Sequence, residues 1–151
     1  MVQAQAIFYV RAGASGSGNG SDWTNAYPSI PATMTRGATY YVADGTYPGQ
    51  TFDDPVSGTE TITIKKATIG EHGTGAGWSS TFGDGQADFT GGLSFVTDYW
   101  IIDGSTRTEA AWNDGPSYGI KTTNIFTNYF SFGHAADNVT LKYLDIGADY
   151  G

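Results

Sequence analysis

The sequence contains no cysteine, few charged residues and no long apolar run. Without cysteine, the chain forms neither disulfides nor thiolate metal sites. No apolar stretch approaches the ~20 residues that a membrane-spanning helix needs, so we expect no membrane partner. Charged residues make up 15% of the chain, whereas an average domain has about 25%. This scarcity disfavours long, solvent-exposed helices.

The charge that is present is mostly negative. Asp and Glu number 15 and Lys and Arg number 7, which gives a formal net charge of -8. A chain of this charge repels phosphate groups, so we expect no nucleic acid as a partner.

Glycine and aromatic residues are abundant instead. The chain has 22 glycines, and 15% of its residues are aromatic. Many short strands joined by tight turns have this composition. At 151 residues the chain is long enough for one domain with a substantial core. We therefore predict an all-β domain.

Two segments share the same pattern, in which apolar residues alternate with other residues, a two-residue corner interrupts the alternation, and the alternation then resumes. The first consists of Ile62, Ile64, a corner at Lys65–Lys66, Ala67 and Ile69. The second consists of Val139, Leu141, a corner at Lys142–Tyr143, Leu144 and Ile146. A period of two residues excludes an amphipathic helix. The pattern indicates a chain that turns a corner while one face stays inward, as in a coil of strands wrapped around a core.

The distance between the two segments suggests a repeat. Ile62 and Val139 hold equivalent positions in them. The stretch between these positions would hold three circuits of about 25 residues each, a usual length for stacked repeats. Residues 22–34 are predicted to form a short helix with Pro28 and Pro31 in its first turn. Such a segment would cover the open end of the core.

Three segments follow from these patterns. Residues 1–6 contain Ala4-Gln5-Ala6, which is typical of a signal cleavage site, and we interpret them as a cleavage remnant or an artificial start. The alternative is that this tripeptide has no meaning. Residues 7–38 are expected to form a first strand, a Gly/Ser loop and a cap. Residues 39–151 are expected to form the coils, with loop excursions at 71–85 and 107–117.

Residues 36–47 resemble a known family. They contain Arg36-Gly37-Ala38-Thr39 and then Gly45-Thr46-Tyr47, and residues 8–10 and 22–26 resemble the lead-in of the same proteins. The motif resembles the first coil of secreted right-handed parallel β-helix proteins of the pectate-lyase-like superfamily, in which Asp is commoner at position 38. The resemblance implies a right-handed parallel β-helix (solenoid) with a short N-terminal capping segment. It also implies a secreted or cell-surface location.

The resemblance implies more than one function. The superfamily includes polysaccharide lyases, glycoside hydrolases, adhesins and phage tailspikes, so fold alone does not choose between them. Our first expectation is a secreted module that binds or acts on polysaccharide, as the N-terminal part of a lyase-like protein. The alternative is a structural or adhesin subunit without catalysis. Its open C-terminal coil would stack end to end on another copy and build filaments. A third reading is the receptor-binding or spike domain of a phage.

Several residues have side chains suited to polysaccharide cleavage. Elimination from a uronate needs a cation beside the carboxylate, a base and an acid. The candidates for these roles are Lys121, Lys142, His134 and Arg107. Alternatively, these residues are simply exposed to solvent. Hydrolysis would instead need two carboxylates ~5–9.5 Å apart, for which Asp103 and Asp145 are the candidates.

Other residues have side chains suited to binding. Aromatic rings in loops stack on the apolar faces of sugars, or they fold back to plug the loop against the core. The rings concerned are Trp23, Trp78 and Trp112. Calcium prefers several oxygen ligands. The acidic residues considered for a Ca²⁺ site are Asp53, Asp54, Asp84 and Asp88.

Overall fold

The computed structural model describes residues 4–106, 109–111, 113–123 and 130–147. Strands dominate this part of the chain, which confirms the all-β expectation. Its helical segments are short 3-10 turns at Ser80–Phe82, Glu109–Ala111 and Gly115–Ser117. The strands are β1 (Ile7–Val10), β2 (Thr39–Val42), β3 (Gly45–Tyr47), β4 (Gln50–Phe52), β5 (Ile62–Lys66), β6 (Ala87–Phe89), β7 (Leu93–Phe95), β8 (Trp100–Asp103), β9 (Ile120–Thr123), β10 (Phe130–Phe132), β11 (Val139–Lys142) and β12 (Leu144–Gly147).

The strands form three sheets in which every described pair is parallel. Sheet A has the order β1-β2-β5-β8-β11, sheet B the order β3-β6-β9-β12 and sheet C the order β4-β7-β10. From β2 onward the chain enters sheets A, B and C in that fixed order. We call one such pass a circuit. Each strand therefore pairs with the strand one circuit earlier.

The register confirms one repeat prediction and corrects another. Ile62 pairs with Trp100, and Trp100 pairs with Val139, so Ile62 and Val139 are equivalent as predicted. Trp100 lies almost midway between them in the sequence, so two circuits of nearly equal length span this distance. The prediction of three shorter circuits is therefore wrong. Each circuit is longer than predicted because its connections between strands are long. The alternation of apolar residues in the strands gives no information about the length of these connections.

Inward-facing side chains stack in columns through the core. Phe52 and Phe95 stack with ring centroids 4.7 Å apart, and Phe132 follows Phe95 at 5.4 Å. The column Ile64, Ile102 and Leu141 runs across sheet A in the same way. Each fully buried side chain of this size contributes about 1.5–3 kcal/mol through removal from water.

Of the two predicted corners, one is confirmed. β11 ends at Lys142 and β12 begins at Leu144, with Tyr143 at the corner. The corner at Lys65–Lys66 is wrong, because β5 continues to Lys66 and the chain then leaves the sheet. Ile69 is accordingly 58% exposed instead of facing the core.

Residues 22–34 form no helix, so that prediction is wrong. Tyr27 forms a parallel bridge to the end of β1, and the Asp22 carboxylate accepts the Asn25 amide N–H at 2.8 Å. The bridge requires extended backbone at Tyr27, in the middle of the predicted helix. Ile30 and Met34 are nevertheless buried against the core. The segment thus covers the N-terminal end of the core without being helical.

Arg36, from the motif that carries the family resemblance, ties two connections together. Its guanidinium donates to the backbone carbonyls of Asp54 at 2.5 Å and Asp98 at 2.8 Å. It also lies over the Trp100 ring, 4.7 Å from the centroid. Arg36 therefore holds together the two connections that lead from sheet C to sheet A, the one between β4 and β5 and the one between β7 and β8.

The parallel register can be tested with engineered cysteines, since the native chain has none. The Ser94 and Ser131 hydroxyls on adjacent strands β7 and β10 are 2.8 Å apart. We expect Ser94→Cys with Ser131→Cys to form an intramolecular disulfide under mild oxidation, detected by mass spectrometry. The control is Thr51→Cys with Ser131→Cys, two strands apart at about 9.5 Å. That pair exceeds the ~7 Å Cα limit for a disulfide. Oxidation of the control pair alone would contradict the register.

Candidate functional site

The connections from sheet A to sheet B differ greatly in length. Two are short, residues 43–44 and residue 143. The other two are long and consist of residues 67–86 and residues 104–119. The excursions predicted at 71–85 and 107–117 lie inside them. Because β5 and β8 are neighbours in sheet A, both excursions leave side by side from the same corner.

A cleft of about 410 Å³ lies between the two excursions. This volume is within the roughly 300–1,000 Å³ of small-molecule sites. The first wall consists of Thr68, Ile69, Gly70, Gly83, Asp84 and Gly85. The second wall consists of Thr106, Pro116, Ser117 and Tyr118. The cleft therefore combines hydroxyl groups, glycine backbone and apolar side chains.

The first excursion is anchored on the outer face of sheet A. The Trp23 indole N–H donates to the His72 carbonyl at 3.1 Å, and the Tyr9 hydroxyl accepts the Thr74 amide N–H at 2.8 Å. Trp78 stacks on the His72 ring at 4.1 Å between centroids. Trp23 and Trp78 belong to an aromatic cluster that also holds Tyr9, Tyr41 and Phe82. This packing fixes the first wall of the cleft.

Gln86 joins the two walls. Its side-chain amide donates to the carbonyl of Gly115 at 3.0 Å and to that of Tyr118 at 2.8 Å. The Ser117 hydroxyl donates to the Ala111 carbonyl at 2.9 Å within the second excursion. The second wall is thus held against the end of the first.

A buried ion pair lies at the corner beside the cleft. The Lys66 ammonium, whose side chain is 1% exposed, contacts the Asp44 carboxylate. It also donates to the Ala67 carbonyl at 2.5 Å. The other Asp44 oxygen accepts the amide N–H of Gly85, a cleft residue, at 2.5 Å. Burial lowers the pKa of Lys66, and its hydrogen bond to Asp44 opposes that shift.

The sequence analysis did not identify this pair. The available signal was the alternation of β5, which places Lys66 on the inward face with Ile62 and Ile64. A lysine at an inward position needs a buried counter-charge. Asp44, directly after β2 in the preceding circuit, provides it.

The corner has no room for additional side-chain atoms. A Cβ at Gly104 would collide with the Tyr143 carbonyl oxygen, and one at Gly119 would collide with the Gly104 carbonyl oxygen. Tyr143 has a φ of 57°, a region that non-glycine residues rarely adopt. Successive circuits therefore pack backbone against backbone here.

The structure does not bring the proposed catalytic residues together. Lys142 faces outward from sheet A and pairs with Asp103 at 3.0 Å. Lys121 lies in sheet B, in register with Asp88 and Asp145, and His134 is exposed in the turn before β11. Arg107 lies outside the described residues. Asp103 and Asp145 lie in different sheets and do not face each other across adjacent strands.

The tryptophans differ in exposure. Trp23 is fully buried, so it cannot stack on a sugar and instead plugs its loop against the sheet. Trp78 is half-buried, and its ring lies under Gly83 of the cleft. It supports the first wall. Trp112 lies outside the described residues.

The acidic residues considered for calcium are scattered. Asp53 is exposed, whereas Asp54 is buried and accepts the Met34 amide N–H at 2.8 Å. Asp84 lines the cleft, and Asp88 accepts the Thr123 hydroxyl at 2.9 Å. Across the described ranges, no three His, Asp or Glu residues lie close enough to hold a metal ion.

Comparison of the chain with models of known protein families, with curated proteins and with solved structures found no match. In the part of the chain that the structure describes, no helix has the length and hydrophobicity to cross a membrane.

The buried pair should contribute more stability than its exposed neighbour. Asp44→Asn leaves the Lys66 ammonium buried without a counter-charge, so we expect the free energy of unfolding to fall by ~3 kcal/mol. The matched control is Glu71→Gln, which breaks the exposed Lys65–Glu71 pair and should cost about 0–1 kcal/mol. Urea denaturation measures both variants. Equal losses would show that the corner pair is not structural.

Proposed function

We propose that the chain is a secreted, right-handed parallel β-helix module that binds polysaccharide through the cleft. The fixed order of the three sheets and the in-register columns support the coil. Connections between parallel strands of one sheet are right-handed in about 98% of cases, which supports a right-handed coil. Secretion is supported by the Ala4-Gln5-Ala6 tripeptide and by the family resemblance.

The chemistry of the cleft supports a saccharide ligand. Sugar rings present hydroxyl groups at their edges and C–H groups on their faces. Thr106 offers a hydroxyl group, and Thr68 and Ser117, whose hydroxyls already donate within the protein, offer oxygens that can accept. The exposed Ile69 and the Tyr118 ring offer apolar surface. The single observation that carries the proposal is this pairing of polar and apolar groups on two fixed walls.

Binding is favoured over cleavage. None of Lys121, Lys142 and His134 lines the cleft. A general base must come within hydrogen-bond reach of the proton that it removes. A lyase-like or hydrolytic activity therefore stays a prediction, and binding is the function that we propose.

Saccharide binding can be tested with two matched substitutions. Ile69 in the cleft is 58% exposed and Val56 outside it is 52% exposed, so truncating either one should leave the fold intact. We expect Ile69→Ala to weaken binding to a soluble polysaccharide about 10-fold, because a ligand covers that side chain. Val56→Ala should have no effect. Affinity gel electrophoresis over a panel of neutral and acidic polysaccharides measures this. Failure to bind any of them, or equal effects of both substitutions, would refute the proposal.

A second candidate function is self-association, which two exposed members of the core columns favour. Phe132 of β10 and Ile146 of β12 are each 54% exposed, although earlier members of the same columns are buried. Tyr27, Ile30 and Met34 already cover the N-terminal end of the core. Two copies would therefore meet through the surface that carries Phe132 and Ile146. That contact closes as a pair and does not propagate as a filament.

Sedimentation equilibrium tests this association. We expect the native chain to dimerise with increasing concentration, and Ile146→Lys to shift it to monomer by placing a charge in the contact. Val56→Lys adds the same charge at a similarly exposed position elsewhere and should leave the dimer intact. A native chain that is monomeric at every concentration would rule out the association.

A further inference from the structure

We propose that the cleft takes uncharged saccharide chains and discriminates against uronates, an inference that rests on the proposed function. The preference follows from the charges that a ligand carboxylate would meet in the cleft. Asp84 is exposed on the first wall, and it is the one charged side chain among the described lining residues. A uronate would therefore meet a like charge in the cleft.

The lysines around the corner are already engaged. Lys66 is buried and contacts Asp44. Lys65 pairs with Glu71 at 2.5 Å, and the bond to Lys65 lowers the pKa of Glu71. Lys142 pairs with Asp103. Each of these cations is thus committed to a carboxylate of the protein. The described lining residues include no cation that would offset the hydration lost by a ligand carboxylate.

Uncharged sugar hydroxyls face no such cost. Thr106 and Ser117 provide hydroxyl oxygens that can accept hydrogen bonds from sugar hydroxyls. The whole chain adds a weaker, longer-range repulsion of polyuronates through its net charge of -8. Local and global electrostatics therefore act in the same direction.

The test uses oligosaccharide pairs that differ in one functional group. One pair is a β-1,4-mannan hexamer and the corresponding mannuronate hexamer. The other is an oligogalacturonate with every carboxyl methyl-esterified and the same oligomer as the free acid. Isothermal titration calorimetry measures each affinity at low and at high salt. We expect the uncharged member to bind about 10-fold more tightly at low salt, and this preference to shrink as salt screens the repulsion.

Two substitutions assign the preference to one side chain. Asp84→Asn should raise the affinity for the uronate and so reduce the affinity difference between the two members of each pair. Asp53 is also exposed but does not line the cleft, so Asp53→Asn should leave this difference unchanged. Equal or tighter binding of the uronates, or a gap that Asp84→Asn does not alter, would overturn the inference and leave saccharide binding standing. If no member of either pair and no polysaccharide of the wider panel bound, the proposed function itself would fail.

Discussion

The structure depends on the stacking of each inward side chain on the one a circuit earlier. Parallel pairing in register places Ile62 under Trp100 and Phe52 under Phe95. This arrangement satisfies backbone groups across the sheets and fills the core with stacked apolar side chains. It also requires that every circuit turn at the same place. The position of each corner, and so of the cleft, follows from the stacking.

The corner between sheets A and B joins the packed core to the proposed binding cleft. Backbone approaches backbone at Gly104 and Gly119, and the buried Lys66 lies at this corner with its partner Asp44. Asp44 in turn accepts a hydrogen bond from Gly85 on the cleft wall. The buried pair therefore connects the core to the first wall.

Local alternation predicted β5 and the segment of β11 and β12, and the burial of β5 and β11 follows the same period of two residues. Circuit length could not be predicted, because the connections range from residue 143 alone to residues 67–86. The alternation within the strands is the same whatever the length of the connection. The helix prediction for residues 22–34 failed because the spacing of Ile30 and Met34 does not distinguish a helix from the observed loop. Both conformations bury these two side chains on the same side. Of the cleft, only the excursions could be predicted. Its walls depend on long-range bonds from Gln86, which local patterns do not contain.

The unequal connections at one corner have a consequence for how such a chain can change. Circuits whose connection there ranges from a single residue to a long excursion keep the same strand register. The scaffold therefore tolerates insertion, deletion or replacement there without repacking. Recognition can diversify through loop grafting while the stacked columns stay constant, so ligand choice and foldability are separable traits in this architecture.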